Sequence, residues 1–517
     1  MSHGKYTRRQ LLRITGGMSM LGAAAPFAAQ LAAAGNVASQ SAPDYRALVC
    51  VFLFGGNDSH NMVLATDNDS WSRYFATRNT GNDPIALMPL GTAPTPVGAT
   101  NPVTGRVSTA DSPEAWGGVL PIVPRTLNPV PAGTNATTRT FALHPFMQPV
   151  KDLFDADRLA VVANVGTLIQ PITKAQYEAR TVPFPANLFS HNDQQSTWQA
   201  GQTEGARTGW GGRFGDLLSS QNGTSSLFTA VSTAGNAVFL SGQSVVQYQM
   251  STGAQPAVVI TGQSGSSLFG STVAPGRVRE IITDTSSASL FAADYATTTG
   301  RSLGASTTLN TAFASSAVTG VATAPAYRNP ITGATENNNL ATQLQTVARM
   351  IAAAPSLGIR RQVFFVSLGG WDTHDFQNAA QGNNLAKVAH ALSYFDGALA
   401  NIGGVNMRNA VTTFTASDFS RTFNTNGDGT DHAWGGHHLV MGGSVRGGDI
   451  YGQYPTLGID QGQFRNPDMT RSYLIPTTSV DQYGATLGRW LGVSETNLDV
   501  IFPNLRNMAS RGLGFMA

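Results

Sequence analysis

Residues 45–63, YRALVCVFLFGGNDSHNMV, form the stretch that decides the fold. Every position from Ala47 to Phe54 is apolar. A strand that is buried on both faces has this pattern, which is typical of a parallel sheet, whereas a half-exposed strand alternates apolar and polar residues. The run ends in two glycines, and Asp58 and His60 follow at once. We therefore predict a central strand whose carboxyl end carries polar side chains.

The rest of the chain alternates stretches with helical periodicity and stretches with the apolar pattern of strands. Strands that alternate with helices are typical of α/β proteins built on a parallel sheet. We therefore predict an α/β fold with a mostly parallel central sheet and helices on both faces. The predicted helices cover residues 147–154, 339–354, 384–402 and 480–492, and the further predicted strands cover residues 159–165, 362–370, 410–417 and 437–443.

Two long stretches of the α/β domain, which we assign to residues 35–517, lack these patterns. Residues 66–140 are rich in Pro, Gly, Asn and Thr, and this composition predicts an insertion of surface loops. Residues 220–335 are rich in Ser, Thr and Gly and contain short alternating runs, which predict a small antiparallel cap inserted in the domain. Loops of this length in a compact domain usually carry function or form subdomains.

Residues 1–34 have the features of an export signal: a basic start, a weakly apolar middle and small residues at the end. Arg8 and Arg9, followed by two leucines, match a twin-arginine signal, although an ordinary basic signal is the other interpretation. The apolar segment is too short to span a bilayer, and no lipid-acceptor cysteine follows it, which argues against a stable membrane anchor. We expect export through the twin-arginine translocase and a periplasmic or secreted protein.

The composition narrows the classes of function. The net charge is only +2, and charged residues make up 12% of the chain, so there is no basic surface for nucleic acid. The single cysteine, Cys50, lies in the apolar run and has no partner for an internal disulfide. Stability must therefore come from the hydrophobic core and from any bound metal.

Polar loops follow the predicted strands. In open parallel sheets, binding sites form at the carboxyl ends of the strands, so these loops are expected to meet at one rim. Aspartate and histidine ligands without cysteine suit a divalent cation such as Zn²⁺ or Mn²⁺. Several carboxylates in one place would also be costly without a cation. The loop residues are Asp58 and His60, Ser190 and His191, Asp372 and His374, Asp418 and Arg421, and Asp431 and His432.

Short motifs in these loops occur in a recognisable order. They are FLFGGNDSHN (52–61), SHNDQQSTWQAG (190–201), LGGWDTH (368–374), SDFSRT (417–422) and GTDHAWGGHHLVMGG (429–443). The order resembles an exported bacterial family that is catalogued as domain of unknown function 1501. That family is similar to the alkaline phosphatase and sulfatase superfamily, whose members bind divalent metals at the rim of a parallel sheet and cleave phosphate or sulfate esters. The resemblance implies an alkaline-phosphatase-like fold.

The resemblance also implies a set of metal ligands. Asp372 and His374 resemble the aspartate and histidine that hold the first metal of the superfamily, and His432 resembles the late histidine that completes that site. Asp58 resembles the aspartate that binds the second metal, and Asp418 would be a further ligand. The cofactor implied is a divalent metal, Zn or Mn, as one or two ions.

The resemblance also implies a nucleophile, and a second candidate catalytic residue, Arg421, follows from its charge. The superfamily has a nucleophile at a helix N-terminus after the second strand, and Ser190 fits that place best, with Ser196 and Thr197 as reserves. A helix N-terminus favours an oxyanion and a bound phosphate. Arg421 would either clamp an anionic group of the substrate or form an ion pair that supports Asp418.

Phe419 departs from the superfamily pattern, because it stands where a histidine ligand is expected. A phenyl ring cannot bind a metal, so three outcomes stay open. His60, His191 or Asp431 replaces the ligand, or only one metal binds, or the site is inactive.

The leading hypothesis is an extracytoplasmic metal-dependent hydrolase that acts on a small anionic ester or on a sulfated or phosphorylated glycan. A second hypothesis is a non-catalytic extracytoplasmic binding protein on the same fold, which Phe419 favours. A serine esterase that uses Ser190 is a weaker hypothesis, because no Gly-x-Ser-x-Gly motif is present.

Overall fold

The computed structural model describes residues 45–126, 128–130, 138–252 and 267–517, so the predicted export signal at 1–34 lies outside the described residues. Its centre is a sheet of nine strands. The strands are β1 (Arg46–Leu53), β2 (Leu159–Gly166), β3 (Ala230–Ser232), β4 (Tyr248–Gln249), β5 (Arg361–Leu368), β6 (Val411–Ser417), β7 (Gly436–Met441), β8 (Ile450–Tyr451) and β9 (Thr478–Ser479).

The strand order is β8-β2-β7-β6-β1-β5-β3-β4, and β9 pairs with β2. β1 lies between β5 and β6 and is parallel to both. Only β7 runs antiparallel to its neighbours, β6 and β2. The carboxyl ends of the other strands, and the start of β7, therefore lie along one edge of the sheet. The prediction of an α/β fold with a mostly parallel central sheet is confirmed.

The two-sided burial of β1 explains its unbroken apolar run. Val49 and Val51 belong to one hydrophobic core, to which the helices at 148–155, 339–357 and 377–399 also contribute. Leu48 and Cys50 belong to the core on the opposite face, where the helices at 210–218 and 480–491 pack. The helices of eight residues or more are α1 (Asn68–Arg78), α2 (Gln148–Asp155), α3 (His191–Ala200), α4 (Trp210–Leu218), α5 (Ala274–Ile282), α6 (Leu290–Phe313), α7 (Asn339–Leu357), α8 (Gln377–Leu399) and α9 (Val480–Leu491).

Shorter elements complete the described chain. Three strands pair as a separate antiparallel sheet, in the order Val63–Ala65, Phe141–Leu143, Leu120–Ile122. Two further antiparallel pairs join Tyr327–Arg328 to Thr335–Glu336 and Met469–Thr470 to Tyr473–Leu474. The short helices are Ser59–Met62, Pro113–Trp116, Lys174–Ala179, Ser316–Thr319 and Glu495–Ile501, and the 3₁₀ turns are Pro145–Met147, Ser219–Phe228, Val238–Leu240, Arg408–Ala410 and Pro503–Asn507.

In the stretch 220–335, predicted as a small antiparallel cap, the described residues form one short antiparallel pair at the end, Tyr327–Arg328 with Thr335–Glu336, and several other elements. β3 and β4 extend the central sheet in the parallel direction, and α5 and α6 follow. α6 buries Ala296, Leu303 and Leu309 at helical spacing. A helix rich in Ser, Thr and Ala has little contrast between its apolar and polar faces, so its periodicity is easily missed.

The stretch 66–140, predicted as surface loops, contains α1. The Asp67 carboxylate caps this helix by accepting a hydrogen bond from the backbone N–H of Ser70 at 3.0 Å. α1 buries Tyr74 and Arg78. Within the described ranges, every helix is too short or too polar to cross a bilayer.

Gly55 allows the loops after β1 and β5 to touch. Its φ of +119° lies in the region that favours glycine, and a Cβ there would lie 2.8 Å from the carbonyl carbon of Trp371 and would also collide with the backbone nitrogen of Asp372. The backbone N–H of Gly55 donates to the Asp418 carboxylate at 3.2 Å. Three strand-end loops are therefore held together at this glycine.

We expect Gly55→Ala to lower the free energy of unfolding by at least about 2 kcal/mol, because it combines backbone strain with a steric clash. Gly369→Ala is the matched control, since Gly369 lies in the same rim and a Cβ there meets no atom within 4 Å. That variant should stay within about 0.5 kcal/mol of wild type. Denaturant titrations measure both, and equal stability of the two variants would contradict the role given to Gly55.

Candidate metal centre

The candidate site lies at the carboxyl edge of the central sheet. Asp372 and His374 come from the loop after β5, and His432 comes from the loop that leads into β7. His191 is the first residue of α3, which follows β2 in the chain. A backbone bridge between Arg421 and His432 joins the two ends of the single connection from β6 to β7.

Three imidazoles surround one carboxylate oxygen, Oδ1 of Asp372. The Nε2 atoms of His374, His191 and His432 lie 3.2, 3.4 and 3.5 Å from it. The Nε2 atoms of His374 and His432 lie 3.0 Å apart. His191, Asp372 and His432 each offer one ligand atom, and these atoms all lie within 4.8 Å of one another. Asp372 and the three histidines are called the His₃Asp cluster below.

Each imidazole of the His₃Asp cluster has its other ring nitrogen, Nδ1, beside an oxygen acceptor. An N–H at Nδ1 leaves the lone pair on Nε2, which is the form that binds a metal, and such outer partners also fix the orientation of the ring. The acceptors are the Asp418 carboxylate for His191 at 2.7 Å, the Phe189 carbonyl for His432 at 2.7 Å and the Asp431 carboxylate for His374 at 3.2 Å.

The cluster fits a divalent cation. Nε2 of His191 is buried and has no hydrogen-bond partner among the described residues. In a tetrahedral zinc site with metal–ligand distances of about 2.0–2.1 Å, neighbouring ligand atoms lie about 3.3 Å apart. The separations around Asp372 are close to that value. A cation at the centre would satisfy nitrogen lone pairs that otherwise face a carboxylate.

The pKa values of the cluster residues shift in different directions, for different physical reasons. The hydrogen bond to Asp418 raises the pKa of His191, whereas burial lowers the pKa of His432. Partial burial works to raise the pKa of Asp372, but the hydrogen bond and charge of Arg421 outweigh it, and the net shift is downward. Asp372 therefore stays ionised, and a cation competes mainly with a proton on His191.

Arg421 supports Asp372 rather than Asp418. Its guanidinium is fully buried and donates to the backbone carbonyls of Gly55, Gly56 and Thr430. It also donates to the carboxylate of Asp372. Of the two roles predicted for Arg421, this geometry favours the ion pair, but its partner is Asp372 of the cluster and not Asp418.

Asp418 lies behind His191. Its Oδ2 atom accepts hydrogen bonds from Nδ1 of His191 at 2.7 Å and from the side-chain amide of Gln195 at 2.9 Å. Asp418 is fully buried, and its Oδ1 atom has no hydrogen-bond partner among the described residues. Predicted as a metal ligand, Asp418 instead contacts the cluster through the imidazole that it orients.

The structure does not bring Asp58 into the His₃Asp cluster. Both carboxylate oxygens of Asp58 accept hydrogen bonds from Arg78, and one also accepts from Gln377 at 2.6 Å. Arg78 and Asp58 are both buried. The guanidinium thus supplies, next to Asp58, the positive charge that the sequence comparison assigned to a second metal.

The ring of Phe419 forms a wall of the cluster. Its centroid lies 4.8 Å from that of His191 and 4.6 Å from that of His432. Among the three candidate replacements for a missing ligand, His191 joins the cluster and Asp431 accepts from His374. The third, His60, is buried against Phe423 at 5.1 Å between ring centroids. Burial lowers the pKa of His60 well below its usual value.

Ser190 is the N-cap of α3, between the Phe189 carbonyl that holds His432 and the His191 side chain. Its hydroxyl oxygen accepts from the backbone N–H of Asp193 at 3.4 Å. The two reserve hydroxyls point elsewhere. Ser196 donates to the Thr203 carbonyl at 2.9 Å, and Thr197 donates to the Asp193 carbonyl at 2.7 Å.

Comparison with known proteins agrees with the order of the motifs. The family model described as "Protein of unknown function (DUF1501)" matches residues 45–502. The chain belongs to the DUF1501 family. No curated protein matches the sequence.

Among solved structures, one described as Ps i-CgsB in complex with k-i-k-neocarrahexaose is similar to this DUF1501 chain at 10% sequence identity. It covers 70% of this chain and 71% of its own, with a TM-score of 0.29. A score this low carries no conclusion about the fold or activity of the DUF1501 chain.

Sequence reasoning missed two parts of the site in this DUF1501 chain. The first is Arg78, which lies in a stretch read as loop. The second is the backbone carbonyl of Phe189. Every residue has a backbone carbonyl, so residue types do not indicate which one accepts a hydrogen bond. His191 is not among the metal ligands that the resemblance implies, although its place at the start of a helix after β2 points to the rim.

We expect Asp418→Asn to weaken zinc binding by about 10–100-fold, because the amide no longer holds His191 in its metal-binding form. Competition with a chromogenic chelator measures the affinity. Asp58→Asn is the matched control, since it also neutralises a buried aspartate but leaves the His₃Asp cluster intact.

The control should keep wild-type zinc affinity while losing about 3–5 kcal/mol of stability, because Arg78 is left without its buried partner. Comparable losses of zinc affinity in the two variants would contradict the separate roles assigned to Asp418 and Asp58.

Proposed function

We propose that this DUF1501 protein is an extracytoplasmic metal-dependent hydrolase of phosphate or sulfate esters, related in fold to the alkaline phosphatase and sulfatase superfamily. One observation carries the proposal: the Nε2 atoms of His191, His374 and His432 face Asp372 Oδ1 at 3.2–3.5 Å. An acceptor at each Nδ1 keeps these imidazoles oriented for a cation.

The donor set supports one cation rather than two. Asp58, the expected ligand of a second metal, is neutralised by Arg78, and Phe419 offers no ligand atom. Three imidazoles and one carboxylate suit Zn²⁺, with Mn²⁺ as the other candidate, because imidazole ligands favour zinc whereas oxygen ligands favour manganese.

The exposure of the cluster supports a catalytic rather than a structural metal. The side chain of Asp372 is 49% exposed and that of His374 is 41% exposed. Structural zinc sites are closed, whereas catalytic sites keep a position open to water or substrate. An anionic ester can therefore reach the cluster from the solvent.

The bound cation would supply Lewis acidity toward the ester oxygens and would lower the pKa of a nearby nucleophile. The chain's own residues supply the nucleophile and hold the metal ligands in place. Ser190 is the proposed nucleophile, at the N-terminus of α3, where the helix dipole favours an alkoxide and an anionic substrate. Asp418 orients His191, and Arg421 holds Asp372 in place and ionised. The substrate class is a small anionic ester or a sulfated or phosphorylated glycan.

Export is the second part of the proposal. Arg8 and Arg9 in the predicted signal support passage through the twin-arginine translocase and a periplasmic or secreted location. This route carries proteins that are already folded, which is compatible with a metal bound before export.

A non-catalytic binding protein is the second candidate. The observations that favour it are the phenyl ring of Phe419 at the place of a ligand and the hydroxyl of Ser190, whose oxygen caps a helix. Such a protein would hold an anion at the cation without turning it over.

A panel of 4-nitrophenyl phosphate, bis(4-nitrophenyl) phosphate and 4-nitrophenyl sulfate separates the two candidates. We expect the zinc- or manganese-loaded protein to hydrolyse at least one ester, and Asp372→Asn to lose at least about 100-fold in kcat/KM together with its metal. Chelation should abolish the activity, and metal should restore it.

The nucleophile is tested with a matched pair of serines on the same segment. Ser190→Ala should lose at least about 100-fold in kcat. Ser196→Ala should keep wild-type turnover, because that hydroxyl is bound to Thr203. Turnover that survives chelation, or that is equal in wild type and Asp372→Asn, would overturn the hydrolase. Normal metal binding without turnover on any ester would favour the binding protein.

A further inference from the structure

A groove of ≈ 690 Å³ lies beside the His₃Asp cluster. Its volume is in the range of about 300–1,000 Å³ that is typical of ligand clefts, and is more than a single phosphate or sulfate needs. We call it the Arg180–Arg471 groove. The lining residues used below are Arg180 and Arg471, Glu178, and the aromatic residues Tyr177, Phe189 and Tyr473.

One short segment of the chain connects the groove to the cluster. Residues 184–189 form one of its walls. The carbonyl of Phe189 accepts from Nδ1 of His432 at 2.7 Å, and the next two residues are Ser190 and His191. The wall of the groove is therefore followed directly in the chain by two residues of the candidate site.

Two guanidinium groups line the groove without carboxylate partners. Arg180 and Arg471 are both exposed, and in the described parts of the chain neither forms an ion pair. Both hold a left-handed backbone with φ of 53°, which is uncommon for a residue with a side chain. The acidic lining residue, Glu178, accepts from the Thr470 hydroxyl at 2.7 Å. The groove thus offers positive charge to a ligand.

Aromatic rings line the same groove. The ring of Tyr473 lies 5.0 Å from that of Phe189 and 6.1 Å from that of Tyr177, measured between centroids. The hydroxyl oxygens of Tyr177 and Tyr473 lie 3.2 Å apart. Aromatic rings with polar tips suit a ligand that has an apolar ring face and hydroxyl groups, which is the chemistry of a sugar.

We propose that the Arg180–Arg471 groove binds the leaving group of the substrate, and that this leaving group is a sugar with a second sulfate or phosphate. The role of this sugar as a leaving group rests on the proposed function. Its binding in the groove does not depend on hydrolysis. Arginine binds sulfate and phosphate groups alike through paired N–H donors. The groove therefore selects sugars with two anionic groups over sugars with one.

Isothermal titration of the zinc-loaded Ser190→Ala variant tests binding, because turnover of the probes is suppressed in that variant. The probes are two pairs of sugars: glucose 6-phosphate with glucose 1,6-bisphosphate, and glucose 6-sulfate with glucose 2,6-disulfate. We expect the zinc-loaded Ser190→Ala variant to bind the member with two anionic groups at least about tenfold tighter in at least one pair. The pair that shows the preference identifies the anion.

Further variants in the Ser190→Ala background locate that preference in the groove. Arg180→Gln combined with Arg471→Gln should reduce it to about twofold or less, and the corresponding double lysine variant should keep most of it. Arg279→Gln, which removes an exposed charge on α5, is the control and should keep it in full.

No preference in either pair, or a preference that survives the double glutamine variant, would overturn the inference. So would an equal loss in the Arg279 control. This preference in the Ser190→Ala variant, together with a wild type that hydrolyses no ester, would refute the hydrolase and leave the groove assignment standing, so the two proposals fail separately.

Discussion

Three imidazole lone pairs that face one carboxylate are the constraint on which the candidate site depends. Nε2 of His191 and Oδ1 of Asp372 lie 3.4 Å apart. The hydrogen bonds at Nδ1 hold the histidines in this arrangement, and the rigid sheet behind them prevents the loops from relaxing apart. A bound cation, as proposed here, would turn an unfavourable arrangement into a favourable one and would explain why several distant loops converge.

The convergence follows from burial of the central strands. β1 is covered on both faces, so its position between β5 and β6 is set by packing rather than by the loops. Because the end of such a strand is fixed by packing, the residues directly after it lie at a fixed place on the edge of the sheet. This is why the sequence pattern predicted the strand-end residues Asp372 and His374, and why the loop before β7 brought in His432.

The same reasoning fails where position depends on tertiary contacts. Asp58 follows β1 as expected, but its partner Arg78 lies on α1, in a stretch that has little apolar periodicity and was predicted as loop. An aspartate after a buried strand has the same sequence signal whether it faces a metal or a guanidinium. The helical character of α6 was hidden for a related reason, since small residues give weak contrast between its faces.

In the proposed function, Arg78 and Phe419 leave one metal site where the superfamily resemblance implies two. A fixed guanidinium carries one charge and cannot bind a substrate oxygen as a metal does, so a single cation and its surroundings would do that work. The basic, aromatic groove beside the cluster then becomes the natural place for the rest of a charged substrate.

A crystal structure of the zinc-loaded protein, with anomalous diffraction measured at the zinc edge, tests the central claim most directly. The account predicts one strong anomalous peak within about 2.3 Å of Nε2 of His191, Nε2 of His432 and Oδ1 of Asp372. A peak at Asp58 instead, or no peak among these three residues, would contradict it.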